Sequence, residues 1–207
     1  MEKRNVVSVA VVAIGALFIM NGCASLGQHA KGPVQTVLER TPDVPQPDWT
    51  GRSEAYWVQE GKIQSMGYAE SSIDNESALD EAENIARTKL IQGVKESMLA
   101  DFRQALDVQK ADPRTGESLT STFSKIVNTS KIIGISQKGL YSEKVSEKTG
   151  KEKRIFYRSY VLAEMMNANY DRNEQQAIAS LKAQVKPSKA QRKIAENIEK
   201  FLKSNGK

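Results

Sequence analysis

The sequence predicts an α+β domain: a small, mostly antiparallel sheet packed with a long amphipathic helix, plus a C-terminal helical extension. Three observations carry this reading. Lys62 to Glu70 (KIQSMGYAE) alternates as a strand does. From about residue 75 to residue 106, apolar residues recur at three- and four-residue steps, the period of a helix with one buried face. Two later runs, Lys131 to Val145 and Lys153 to Glu164, read as strands joined by the charged turn Glu147-Lys148-Thr149-Gly150-Lys151. Strand, helix, helix, strand, strand is the order of an α+β layer.

The chain opens on Lys3 and Arg4, followed by a run from Val6 to Met20 that is apolar except for Ser8. That length suits the apolar stretch of a signal peptide and is short for a spanning helix. The run ends in Ile19-Met20-Asn21-Gly22-Cys23-Ala24-Ser25, which holds the only cysteine. This is similar to a bacterial lipoprotein signal: residues 1–22 would be removed, and Cys23 would carry acyl chains. Met20 and Asn21 depart from the residues most usual before such a cysteine, and the competing reading is a plain secretory signal. More than one acyl chain is needed for firm membrane anchoring, at about 0.8 kcal/mol per buried methylene. With Ala24-Ser25 and no aspartate after the cysteine, the lipoprotein pattern implies an outer-membrane address, with the domain in the periplasm.

Removal of the leader leaves 185 residues, enough for one domain with extensions, and lowers the formal charge from +5 to +4. No cysteine then remains for a disulfide, so the fold rests on its core. A modest basic excess in an envelope protein points to anionic lipid or cell-wall polymer and away from nucleic acid. Residues 23–48 read as a flexible tether, with Gly27, Gly32, Pro33, Pro42, Pro45 and Pro47 and little apolar periodicity; a short helix over Val34 to Arg40 is the one local element expected there. The only histidine, His29, falls in that tether. One histidine, no thiol after acylation, no Gly-rich phosphate loop and no metal-ligand spacing give no catalytic, cofactor or metal site to name.

The domain is expected over 49–166. Trp49 should pack on its edge, and Tyr56 to Val58 read as a short helix or turn. In the first strand, Ile63, Ser65, Gly67 and Ala69 share a face. Glycine weakens a strand, so Gly67 marks a close approach by another element. The helix that follows at once has Asp74 or Asn75 as its N-cap and acidic residues in its first turns, where the dipole favours anions. Its apolar face is Leu79, Ala82, Ala86, Leu90, Val94, Met98 and Phe102, and it either runs through or breaks near Gly93. Met98 and Phe102 at this spacing are core residues and not a ligand stripe. Asp112-Pro113-Arg114-Thr115-Gly116 reads as a turn, and a second amphipathic helix carries Leu119, Phe123, Ile126, Val127 and Ser130. The strand pair carries Ile133, Ile135, Tyr141 and Val145 on its first strand and Ile155, Tyr157, Val161 and Ala163 on its second.

Pro47-Asp48-Trp49, the strand ending Met66-Gly67-Tyr68-Ala69, the repeat Ala78-x3-Ala82-x3-Ala86-x3-Leu90, and Phe156-Tyr157-Arg158-Ser159-Tyr160-Val161-Leu162 together resemble the Lpp-twenty family of bacterial outer-membrane lipoproteins. The resemblance covers roughly residues 47 to 166. It implies an α+β domain without an established active site, and it brings in flagellar lipoproteins of the FlgP type, which assemble into basal disks around the motor. The expected role is therefore a non-catalytic envelope lipoprotein that acts by assembly, through protein partners or self-association. The alternative is a monomeric periplasmic module that regulates a cell-wall enzyme or captures a ligand.

Residues 167–207 read as a helical hairpin broken at Pro187-Ser188, with Glu174, Ile178, Leu181 and Val185 on one stripe and Ile194, Ile198, Phe201 and Leu202 on the other. Seven basic residues from Lys186 to Lys207 face only Glu196 and Glu199. The pair either packs on its own domain, or binds partners, or lies on anionic lipid or cell-wall polymer. Such short helices need something to cover their stripes.

Overall fold

The structure is a computed structural model and describes residues 32–184 and 189–205. The predicted signal, Cys23, His29 and the break at Pro187-Ser188 lie outside these residues. Five antiparallel strands form one sheet: β1 (Val34–Thr41), β2 (Trp57–Gln59), β3 (Lys62–Ser71), β4 (Ile135–Thr149) and β5 (Glu152–Met166), in the order β1-β4-β5-β3-β2. Four helices accompany it: α1 (Asn75–Val108), α2 (Pro113–Thr129), α3 (Asn167–Gln184) and α4 (Lys189–Asn205). The α+β reading holds.

The seam between β3 and α1 sets the layer spacing. Ser65, Gly67 and Ala69 face the helix and are buried, as are Ala78, Ala82 and Ala86 opposite them. A Cβ on Gly67 would stand 1.9 Å from the carbonyl oxygen of Ala82 and 2.6 Å from the amide nitrogen of Ala86, so only glycine fits. Ser65 Oγ donates to the Ala86 carbonyl at 2.7 Å, and Lys89 Nζ donates to the Met66 carbonyl at 3.1 Å. Asp74 caps α1 by accepting from the Ser77 amide at 2.7 Å, which also holds its carboxyl below the usual range. α1 does not break at Gly93. That glycine lies under the Tyr56 ring, only 2.4 Å from where a Cβ would be, and the helix runs straight through.

Further along α1 the buried residues grow to Leu90, Val94, Met98 and Phe102. At 34 residues, α1 is about 50 Å long. β3 has ten residues and spans about 33 Å, so the helix overhangs the sheet. α2, α3 and α4 gather on the overhang. Phe102 stacks on Phe123 of α2 with centroids 4.1 Å apart, and Leu119, Ile178, Leu181 and Ile198 complete that core. The C-terminal helices thus pack on their own domain, the first of the three readings.

Four local expectations are corrected. Val34 to Arg40 is a strand and not a helix, so the sheet begins inside the stretch assigned to the tether. Tyr56 to Val58 is not a turn or helix, because β2 occupies Trp57–Gln59. Asp112 is not part of a free turn. It N-caps α2 by accepting from the Thr115 amide at 3.1 Å, with Pro113 at the first helical position, where its missing N–H costs nothing. β4 starts at Ile135 and not at Lys131. The two ends of β4 turn opposite residues inward, so Ile135 and Tyr141 lie on different faces. A bulge between Gln137 and Gly139 shifts the register, so Ile135 pairs with Met165 on the helix side while Tyr141 and Val145 pair with Tyr160 and Phe156 on the other.

Gly67→Ala tests the seam. We expect a loss of about 1–3 kcal/mol or more in unfolding free energy, read as a lower urea midpoint, because the added methyl meets backbone and no flexible side chain can move aside. An unchanged midpoint would contradict the contact.

Candidate functional site

Three features of the described residues can carry function: a projecting ribbon with a free edge, a polar network on the helix-free sheet face, and a cleft among the helices. Cys23, the one site residue named from sequence, lies outside the described residues, as does His29.

The ribbon follows from the registers. β3 ends at Ser71, opposite Tyr157, and α1 begins beside Ser159, whose hydroxyl donates to Asn75 Oδ1 at 3.2 Å. Beyond that level β4 and β5 continue as a hairpin, turning at Gly150, which takes φ +63°. β1 pairs only with this outer half of β4, from Val34 opposite Lys148 to Thr41 opposite Ser142. β1 is therefore the end strand, and among the described residues no strand pairs with its other side. It carries Val34 and Leu38 at 63% and 51% exposure. A long edge with unpaired peptide groups and exposed apolar side chains is a template for strand addition.

The network lies on the face without helices. Glu143 is buried on β4. Its Oε1 accepts from Tyr141 Oη at 2.8 Å, and its Oε2 from Arg158 Nε at 2.5 Å. Arg40 of β1 donates from Nε to Tyr141 Oη at 3.1 Å and stands 3.6 Å from Glu143 Oε1. Gln35, also on β1, accepts from Arg158 at 3.3 Å and donates to Glu147 at 2.7 Å, and Arg154 donates to the other oxygen of Glu147. Burial first, and then the Glu143 carboxylate, pushes the Tyr141 hydroxyl up from its ordinary value, so it stays protonated. Every charge here is answered by a neighbour. The chemistry is that of a clamp holding β1 to the sheet, with no group left poised to act on a substrate. Sequence reasoning named no site here: Glu143 and Arg158 sit in runs read as strands, and the bulge in β4 sets which face Glu143 takes.

Beside the network, Tyr68 and Tyr160 pack with centroids 5.0 Å apart, and the Tyr68 hydroxyl donates to Glu70. Trp49 lies over Gly139 and packs with Met66, Leu162 and Trp57, so it docks over the central strands and not at the edge. The segment from Thr41 to Trp49 thus leaves one sheet edge and returns over the central strands.

The cleft has a volume of about 700 Å³ and opens between α1, α3, α4 and the β2–β3 end of the sheet. Asp101 comes from α1, and Tyr170, Asp171 and Glu174 come from α3. Tyr170 Oη donates to Asp101 Oδ2 at 2.6 Å, and burial together with that carboxylate pushes the phenol well above its ordinary value. Glu174 is only 6% exposed, and its Oε1 has no hydrogen-bond partner. Burial, then Asp101 and Asp171, push its carboxyl up to about 7. The sequence placed Glu174 on the stripe of α3 without reason for a carboxylate there. Among the described residues, no three His, Cys, Asp or Glu side chains converge to hold a metal ion, and no helix is long and apolar enough to cross a membrane.

Comparison with protein-family models, curated proteins and solved structures finds no match for this chain.

The Glu174 shift makes a stability prediction. An unfolded glutamate titrates near its ordinary value of 4.5, whereas the folded one titrates at about 7, so the native state holds more protons between those values. Stability from this group is therefore greatest at low pH and falls as pH rises from about 4.5 to 7. Glu174→Gln should raise stability at about pH 8 by on the order of 2 kcal/mol, with the gain vanishing near about pH 4. Parallel urea midpoints for the two proteins across that range would contradict the assignment.

Proposed function

We propose that this protein is a non-catalytic outer-membrane lipoprotein, anchored through acyl chains on Cys23, that acts as an assembly component of the cell envelope. The observation that carries the reading is the free β1 edge, which follows closely on the anchor. With β1 starting at Val34, ten residues separate it from Cys23. Fully extended, that stretch reaches about 35 Å. The ribbon edge is thus held near the bilayer, where copies diffusing in one plane meet edge to edge. A neighbouring strand would satisfy the unpaired peptide groups and cover Val34 and Leu38.

Self-association is the contact this geometry favours. The basic face of α4, with Lys193 and Lys200 exposed, offers a second contact to anionic lipid or cell-wall polymer. The resemblance to the Lpp-twenty family makes the flagellar basal disk or motor the sharper destination. The alternative, a monomeric periplasmic module that captures a ligand, draws support from the cleft.

Two outcomes test this. Cys23→Ala should abolish incorporation of labelled palmitate in cells, and continued labelling would contradict the anchor. The full-length protein in detergent should be multimeric by light scattering and fall to a single copy when Val34 and Leu38 are both changed to lysine, with little change in melting temperature because both are exposed. A monomeric wild-type protein, or a multimer untouched by the double change, would contradict edge assembly.

A further inference from the structure

The cleft poses a question that assembly does not answer. Glu174 is more than nine-tenths buried, carries a carboxyl oxygen without a partner, and shares the cleft with two further acids. Buried polar groups in folded proteins are normally paired, because leaving one unpaired costs about 1–3 kcal/mol. Glu174 is such an exception, and the residue lines an open cleft from which a ligand can supply a donor to its carboxylate.

The surroundings define that donor. Asp101 and Asp171 face the cleft from α1 and α3, and no lysine or arginine lines it among the described residues. The site therefore selects for positive charge. The remaining walls are apolar at Val58 of β2, Ile63 of β3, Val108 of α1, and Phe201 and Leu202 of α4, with the neutral polar Ser97, Gln104 and Asn167 between them. Small-molecule sites share this build, mostly apolar with a few convergent polar groups, and this volume falls within their usual range of about 300–1,000 Å³. A bare metal ion is disfavoured, because the acids do not converge on one point.

We propose that the cleft binds a small organic amine, with its protonated nitrogen on the Glu174 carboxylate between Asp101 and Asp171 and its apolar body against Phe201, Leu202 and Ile63. This site is separate from the β1 edge and stands whether or not copies assemble there. An ammonium donates the hydrogen bond that Glu174 lacks, and a charge-assisted bond of this kind is roughly twice as strong as a neutral one. The Tyr170 hydroxyl donates to Asp101 Oδ2 and so fixes one oxygen of that carboxylate.

Binding is linked to protons. Part of the Glu174 population is neutral near pH 7, and an ammonium pulls it into the ionised form, releasing a proton. Affinity should therefore tighten as pH rises from about 6 to 8. The groups facing Glu174 across the cleft are Asp101, Tyr170 and Asp171; β2, β3 and α4 present apolar side chains.

The test uses three probes with one indole body and different charge: tryptamine, tryptophol and indole-3-acetate. Full-length protein in detergent, labelled at isoleucine and leucine methyl groups, is titrated with each, against a micelle-only control. Tryptamine should move the Ile63 and Leu202 methyl signals and bind about tenfold or more tighter than tryptophol, and indole-3-acetate should not bind. Glu174→Gln should erase the preference for the amine. If that variant fails to fold, Asp171→Asn should reduce the preference, and the charge series on the wild-type protein decides alone. Equal binding of tryptamine and tryptophol, methyl signals that no probe moves, or undiminished amine binding by a folded Glu174→Gln protein would each overturn the proposal.

Discussion

The approach of α1 to β3 at Gly67 is the constraint on which the rest of the structure depends. Where a methyl group would stand 1.9 Å from a helix carbonyl, the two backbones are in direct contact. The alanines on one side and Ser65, Gly67 and Ala69 on the other close the gap with almost no side-chain volume. Larger residues then take over along α1, so the helix and sheet diverge as a wedge. At the closed end α1 stops beside Ser159, and β4 and β5 run on uncovered as the ribbon. At the wide end α1 overhangs the sheet and collects α2, α3 and α4. The cleft lies at that end, under α4. One glycine contact thus sets where the protein offers a bare edge and where it offers a concave site.

The second dependence is electrostatic. β1 joins the ribbon through its ladder to β4 and through Arg40 and Gln35, which reach across to Tyr141, Glu143, Glu147 and Arg158. Taking Glu143 out of water is costly, and its pairing with two arginines and a tyrosine offsets the cost. Removing one member would leave a buried charge without an answer. The network reads as a device for registering β1 on the sheet, because a one-residue slip would carry Arg40 to the opposite face and away from Glu143. The strand beside the proposed anchor is therefore held in one position, with its outer edge presented in a fixed direction.

Much of the fold was legible because periodicity and glycine chemistry are local. The alternation of Lys62 to Glu70, the alanine-led stripe of α1 and the N-cap at Asp74 each announce themselves within a few residues. Gly67 was readable for the same reason: a glycine amid strand formers asks for close contact. What stayed hidden depends on partners distant in sequence. Val34 to Thr41 has the composition of a linker until β4 supplies a partner more than a hundred residues away. The bulge at Gln137–Gly139 has no mark beyond the glycine, yet it moves Tyr141, Glu143 and Val145 to the other face. The cleft was unreadable because its acids come from α1 and α3, some seventy residues apart, and because a carboxylate on a helix stripe looks like surface until its surroundings bury it.

If copies of this chain meet along the outer edge of β1, that edge loses its exposure to solvent when they do. Hydrogen–deuterium exchange of the full-length protein, reconstituted in vesicles at low and high surface density, tests it most directly. The account predicts that amides of Val34–Thr41 gain protection as density rises while those of α2 and α3 do not change. Unchanged exchange in β1, with new protection elsewhere on the domain, would place assembly on another surface and contradict the claim.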